Sequence, residues 1–387
     1  MSYKRLFSAS LEAAPGRLHF AAHSHHLWPD ASRAGHLEAW EDAARLADRK
    51  WDRALGEVWR EAQDAVAAEL RLPDPASIAF GANTHELLTR LVSAREERPL
   101  RVLASSGEFH AFRRQAQRWA ESGRIRLETV PLEPFDSFRE RFCAAAESGG
   151  FDLLMLSHIF FQTGWVLEGL ERLAGFAAPG GPWLVLDGYH AFMAIEADLS
   201  AIADRAFYLG GGYKYAMTGE GLGFLHAPAG FALRPELTGW FAEFAALSAP
   251  PGGGVAYATD ARRFLGATFE PTALYRFTAV RRMLAREGLD TRAVNAHLAP
   301  LRVMLEADIA AGRAGRLGEA VLLNPYREGR ANARFLALRH PEAQAWREAL
   351  GARDVITDAR GEVLRIGLGL YHDPEDVAKF CATARTL

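Results

Sequence analysis

Lys214 stands in YLGGGYKYAMTGEGLGFL, residues 208–225, a stretch so rich in glycine that it favours neither a strand nor a helix. Glycine is used where a backbone must turn sharply or approach something closely, so main chain at 210–212 and 219–223 is expected to pass close to a ligand and to a neighbouring subunit. Asp187 closes the apolar run WLVL, and His190 follows three residues later. Asn83 and Thr84 stand where the run SIAFG feeds a helical segment. A lysine amine condenses with an aldehyde, and a buried carboxylate can keep a pyridine nitrogen protonated so that the ring accepts electrons. The first amides of a helix, with a threonine hydroxyl, offer an anion site. Pyridoxal phosphate (PLP) needs all three. Taken singly, a strand-end Asp is a common turn former or helix cap, and a lone His is more often a satisfied core group.

These residues need a sheet to bring them together. Short apolar runs alternate with helical ones: 77–81, 100–106, 151–158, 183–189 and 205–212. Runs apolar throughout and separated by helices predict a mostly parallel sheet covered on both faces, a three-layer α/β domain. In such sheets ligands sit beyond the C-terminal strand ends, where Asp187, Asn83, Thr84 and Lys214 all fall. From Pro29 to Leu70, Trp40, Ala44, Ala47 and Trp51 recur at helical spacing and predict long amphipathic helices. PGGG at 251–254 marks a transition to helical segments (272–312) and two short strands, 321–325 and 362–368, a smaller α+β domain. The expected division is an N-terminal arm and helix (1–45), a large cofactor-binding domain (46–262) and a small C-terminal domain (263–387).

The 387 residues suffice for about two domains. A net charge of −3 gives no footprint for nucleic acid. No segment approaches the length of an apolar membrane span or signal peptide, and the two cysteines, Cys143 and Cys381, read as reduced thiols, so a cytoplasmic location is expected.

D-G-Y-H at 187–190, G-G-Y-K-Y at 211–215 and G-E-G-L-G-F at 219–224 resemble the class V aminotransferase group of fold-type-I PLP-dependent enzymes, and within it kynureninase. HSHHLWP (23–29), ANT (82–84), TGWF (238–241) and LRIGLGLYHDPEDV (364–377) extend the likeness over nearly the whole chain. The resemblance implies Lys214 as Schiff-base lysine and proton shuttle, and Asp187 as partner of the pyridine nitrogen. It implies His190 as support for Asp187 or the ring hydroxyl, and Asn83, Thr84, Tyr213 and Trp240 around the phosphate, Trp240 across a dimer. Phe109 falls where the wider group stacks a ring on the cofactor, and Arg365 where a bidentate contact holds the substrate carboxylate. Ser24 and Thr268 follow as further contacts. The implied reaction is hydrolytic cleavage of the Cβ–Cγ bond of a kynurenine-type amino acid, with Tyr213 a proton donor, in a homodimer with shared active sites. A class V aminotransferase or another PLP lyase acting on a different amino acid is the alternative, and a PLP-binding protein without turnover a second.

Departures from that pattern cluster where an aryl group would sit. LADRKWDRALG lacks the family's His, GATFEP at 266–271 is one residue longer, and Phe160 and Phe161 replace a more polar pair. Arg365 has a plainer reading as the partner of Asp358 or Glu362, and Phe109 as core. His23, His25 and His26 raise a metal site, imidazole being a common zinc ligand, but a turn leading to Pro29 with one His edging into the site is preferred, and no metal is expected. No Cys lies between 215 and 380, which counts against the cysteine desulfurases and their mobile nucleophilic thiol.

Overall fold

The structure is a computed structural model that describes residues 2–231, 234–244 and 254–387. Of the PGGG stretch, residues 251–253 lie outside the described residues.

Helix α1 (Asp30–Leu46) is followed by α2 (Trp59–Leu70). The helical pattern read through 29–70 is interrupted: Ala47 adopts a positive φ of 49°, and a π-helical segment, Arg53–Val58, precedes α2. Asp42 ties the bend together, accepting from Arg45 (2.8 Å), Arg53 (2.5 Å) and the Tyr275 hydroxyl (3.1 Å). Trp40 does not mark the inward face, being 73% exposed; Ser32, Gly35 and Asp42 are the buried residues of α1.

Seven strands form the large sheet: β1 (Ile78–Gly81), β2 (Leu100–Ser105), β3 (Ile125–Val130), β4 (Leu153–Ser157), β5 (Trp183–Asp187), β6 (Ala206–Gly211) and β7 (Gly223–His226), in the order β1-β7-β6-β5-β4-β2-β3. The pairs from β6 through to β3 are all parallel, and β7 alone runs antiparallel, to both β1 and β6. β1, β4, β6 and β7 are buried at every residue, as strands covered on both faces must be. The mostly parallel sheet is thus as expected, while β3 and β7 are strands the runs did not announce. β3 sits at the sheet edge and carries exposed Arg126, Glu128 and Thr129. Helices α3 (Thr84–Ser93), α4 (His110–Glu121) and α5 (Phe135–Glu147) connect successive strands.

The C-terminal part holds α6 (Thr272–Arg286), α7 (Thr291–Ala310), α8 (Ala343–Gly351) and α9 (Pro374–Ala384) with a four-stranded antiparallel sheet. Its strands are β8 (Val321–Leu322), β9 (Phe335–Arg339), β10 (Asp358–Arg360) and β11 (Val363–Gly367), ordered β10-β11-β9-β8. Two were expected; β9 is a short apolar run flanked by arginines, too brief to stand out. The N-terminal arm is stitched to this sheet region. Leu18–His19 pairs in parallel with Val355–Ile356, and the Gly367 amide donates to the Phe20 carbonyl at 2.7 Å. Among the described residues no helix is long and apolar enough to cross a membrane.

Helices α1 and α6 meet at Gly35, where an added Cβ would lie 2.5 Å from the Tyr275 carbonyl oxygen and 2.9 Å from Ala279 Cβ. Gly35→Ala is expected to destabilise the protein by about 1–3 kcal/mol, the usual cost of overpacking. Gly56→Ala, with nothing within 4 Å, is expected to be neutral or to stabilise by up to about 1 kcal/mol. Urea unfolding of both variants checks this, and equal losses would refute the close-approach argument.

Candidate active site

The parallel strands end in step. Ser157 on β4 is in register with Asp187 on β5, which is in register with Leu209 on β6. A pocket opens beyond these ends, lined by Thr84, Phe109, Ser157, Asp187, Tyr189, His190, Tyr213 and Lys214, with Ile159 and Phe161. Six of the residues singled out from sequence, Lys214, Asp187, His190, Thr84, Phe109 and Tyr213, therefore share one cavity.

The glycines allow it. A Cβ on Gly223 would fall 2.6 Å from the Asn83 carbonyl carbon and 2.8 Å from the Thr84 nitrogen, so β7 can back directly onto the start of α3. At Gly211 a Cβ would strike the Tyr189 ring at 2.3 Å. Asn83 caps α3 through its side chain, which accepts from the Glu86 amide at 2.9 Å. The carbonyl oxygen of its carboxamide is thereby engaged at the helix start, and Asn83 is not among the residues lining the pocket. The Thr84 and His85 amides, however, find no acceptor among the described residues. They are the anion-binding groups of a helix N-terminus.

The chain has only four lysines, and Lys214 alone of them is buried. Its ammonium donates to the Tyr213 hydroxyl at 3.3 Å and lies 4.5 Å, 4.9 Å and 5.8 Å from the ring centres of Tyr213, Tyr189 and Phe109. No carboxylate is within ion-pair distance of it among the described residues. Burial, then the field of Arg365, lowers its pKa from 10.5 to about 7, against a smaller opposite pull from Asp187. Asp187 accepts from the Tyr189 amide at 2.9 Å, and burial raises its pKa.

Beneath Asp187 lies a carboxylate that sequence reasoning missed. Glu108, fully buried, accepts from the Ser105 hydroxyl (2.5 Å), the Ser157 hydroxyl (2.6 Å) and the Ser157 amide (3.1 Å). Burial above all, with Asp187 adding to it, pushes its pKa up to about 8. The signal was an acid placed between a strand-end serine and Phe109. Tyr189 was missed too, although it sits inside the quoted D-G-Y-H; its ring packs on Tyr213 at 4.7 Å.

His190 lines the pocket, but its Nδ1 has no partner; the hydrogen bond to the Asp187 carboxylate comes from the Tyr189 amide instead, because the chain turns immediately after β5. The 23–26 segment forms a turn, the reading preferred from sequence. The Ser24 and His25 amides both donate to the Ala21 carbonyl, and His23 is buried while His25 is exposed. His23 stacks on Phe335 at 4.8 Å with neither ring nitrogen bonded, and burial holds its pKa well below the usual range, with Arg365, His190 and Lys214 adding to this. His25 stacks on Tyr213 at 5.0 Å. Among the described residues no group of three His, Cys, Asp or Glu is arranged to hold a metal.

Arg365 is buried in β11 with both terminal amino groups engaged, on the Phe161 carbonyl (2.6 Å) and Asp358 (2.5 Å). The plainer pairing with Asp358 is thus present, and only Nε lacks a partner. Ser24 lies outside this pocket, in an adjoining cleft with His25, Asp358 and Arg360. Trp240 and Thr268 do not reach the pocket within this chain. Trp240 is 48% exposed and packs on Phe241 and Phe244, and Thr268 is exposed.

Because the folded chain releases the Lys214 proton near pH 7 and the unfolded chain near 10.5, the unfolded state binds more protons between those values, and stability rises with pH across that window. Lys214→Met is therefore expected to stabilise the cofactor-free protein by a few kcal/mol near pH 7, an order-of-magnitude figure, with the gain fading toward pH 10. Urea unfolding at both pH values measures it; a gain independent of pH contradicts the assignment.

No family model matches the chain. It is 32% identical over 218 residues to the isopenicillin N epimerase of Streptomyces clavuligerus, a match covering 54% of each chain. The chain thus spans about half the length of that curated relative. Over its whole length it superposes on the apo cysteine desulfurase of Thermococcus onnurineus NA1 with a TM-score of 0.78 and 19% identity, covering 100% of this chain and 99% of the other. A lysine-to-alanine mutant of C-DES, with glycine covalently linked to its PLP cofactor, gives a TM-score of 0.82 at 15% identity over 100% and 99%. The chain has the α/β architecture of fold-type-I PLP-dependent transferases, to which these structures belong.

Proposed function

We propose that the protein is a PLP-dependent enzyme acting at the α-carbon of an amino acid. The observation that carries this is the buried amine of Lys214, without a carboxylate partner among the described residues and with a pKa of about 7, in one pocket with Asp187 and Phe109. Unpartnered groups fit the cofactor: the free amides at the start of α3 suit a phosphate, and the bare Nδ1 of His190 suits a ring substituent. Bound PLP would supply an electron sink that acidifies the α-hydrogen of an amino acid joined to it.

Lys214 would hold the aldehyde carbon, and its Nζ would take up the substrate's α-proton. A base with a pKa near neutrality suits that transfer. Asp187 would accept the pyridine N–H, and the aromatic face of Phe109 would cover the ring. Thr84, with the amides of residues 84 and 85, would receive the phosphate, with Tyr213 beside it. Arg365, oriented by Asp358, would take the substrate carboxylate by exchanging its contact with the Phe161 carbonyl.

The match to isopenicillin N epimerase favours return of the proton to the other face of the same carbon, an epimerase or racemase outcome. Hydrolytic Cβ–Cγ cleavage of a kynurenine-type substrate is the second reading, carried by the motifs at 187–190, 211–215 and 364–377. A desulfurase reading lacks its nucleophile: Cys143 and Cys381 are buried away from the pocket, and burial raises both thiol pKa values. A homodimer is supported by the exposed aromatic residues Trp28, Trp40, Trp240 and Phe244.

Borohydride reduction in the presence of PLP is expected to fix the cofactor to the Lys214 peptide and not to the other three lysines, as read by mass spectrometry. Attachment elsewhere, or none, defeats the proposal. Lys214→Ala should lower exchange of the α-hydrogen in D2O by about 10²–10⁴-fold, the range of a positioned base. Inversion of the exchanged amino acid supports the epimerase outcome; fluorescent anthranilate with alanine from L-kynurenine supports hydrolysis.

A further inference from the structure

A larger cavity, about 480 Å³, lies at the seam between the segment after β5 and the C-terminal part. Ile195 and Glu196 form one wall; Asn295, Leu298, Arg334 and Leu368 line the opposite side. The volume is that of a small-molecule site, and none of the residues lining the Lys214 pocket lines it.

Arg334 is the anomaly. It is only 7% exposed, yet among the described residues no carboxylate pairs with it. Its Nε donates to Asn295 Oδ1 at 2.8 Å and one terminal amino group to the Thr291 carbonyl at 3.4 Å; the other has no acceptor among the described residues. The guanidinium also lies 5.4 Å from the Tyr215 ring centre. The other charges of the cleft are matched: Arg302 by Glu306 (2.8 Å), Arg330 by Glu168 (2.7 Å) and Glu196 by Arg292 (2.9 Å). Burial brings the Arg334 pKa down to about 10, so it remains a cation at neutral pH. The carboxylate whose field reaches it, Glu69, is already held by Arg281 (2.8 Å) and the Thr291 hydroxyl, and a buried cation without a counter-ion in contact is costly to keep. Guanidinium recognises carboxylate through parallel N–H donors, and Ile195, Leu298 and Leu368 offer an apolar wall beside it.

We infer that this cleft is a second ligand site, taking a small carboxylic acid whose carboxylate docks on the free side of Arg334 beside Asn295. The inference does not depend on PLP chemistry at Lys214. The test is calorimetric titration of the full chain with succinate. One saturable site per chain is expected, weakened on the order of tenfold or more in Arg334→Gln and retained in Arg365→Gln. Binding unaffected by Arg334→Gln, or no saturable binding, overturns the inference, as does inorganic phosphate binding as tightly as succinate. Arg334→Met addresses folding: without ligand its urea midpoint should equal or exceed that of the wild type, and succinate should raise the wild-type midpoint only. A lower midpoint in Arg334→Met would make Arg334 a structural strut and defeat the proposal.

Discussion

A primary amine held out of water without a carboxylate against it is the constraint around which the rest of this protein is arranged. Desolvation opposes the charge on Lys214, and the aromatic faces of Tyr189, Tyr213 and Phe109, with one phenol oxygen, compensate only in part. Elsewhere the chain uses arginine for its cations almost exclusively, a side chain that stays charged when buried. Lysine at this position can lose its proton near neutrality, which a nucleophile or base requires and a structural cation does not.

The sheet supplies the precision. Parallel strands ending in register place Ser157 and Asp187 side by side, and Glu108 grips Ser157 from below through its hydroxyl and its amide. The nearby charge of Asp187 adds to burial in raising the proton affinity of Glu108. The charge on Asp187 is therefore linked to the protonation of Glu108, a group that does not line the pocket.

Much of this was legible in sequence where local composition carries the information. Apolar runs with polar ends gave the large sheet and put Asp187, Thr84 and Lys214 at one rim, since strand ends are set by local pattern and fold class. What stayed hidden depended on tertiary placement. The edge strand β3 alternates like a surface segment, and β9 is too short to stand out between arginines. Glu108 reads as one more surface acid until two serines from neighbouring strands are seen to enclose it. Arg365 was found by motif and Asp358 was one of its two expected partners, but its contact with the Phe161 carbonyl is a property of packing. The motif likeness to kynureninase and the partial match to an isopenicillin N epimerase point to different reactions, as expected when one fold hosts several chemistries.

The stitching of the N-terminal arm to the C-terminal part has a mechanical consequence. Leu18–His19 is zipped to Val355–Ile356 and the Gly367 amide is bonded to the Phe20 carbonyl, while further along the same arm the His26 amide donates to the Tyr213 carbonyl at 3.0 Å, so the arm joins β11 to the Lys214 loop. Displacing β11, and Arg365 with it, from the Lys214 loop would therefore pull on the short stretch between Phe20 and His26, as on a tether.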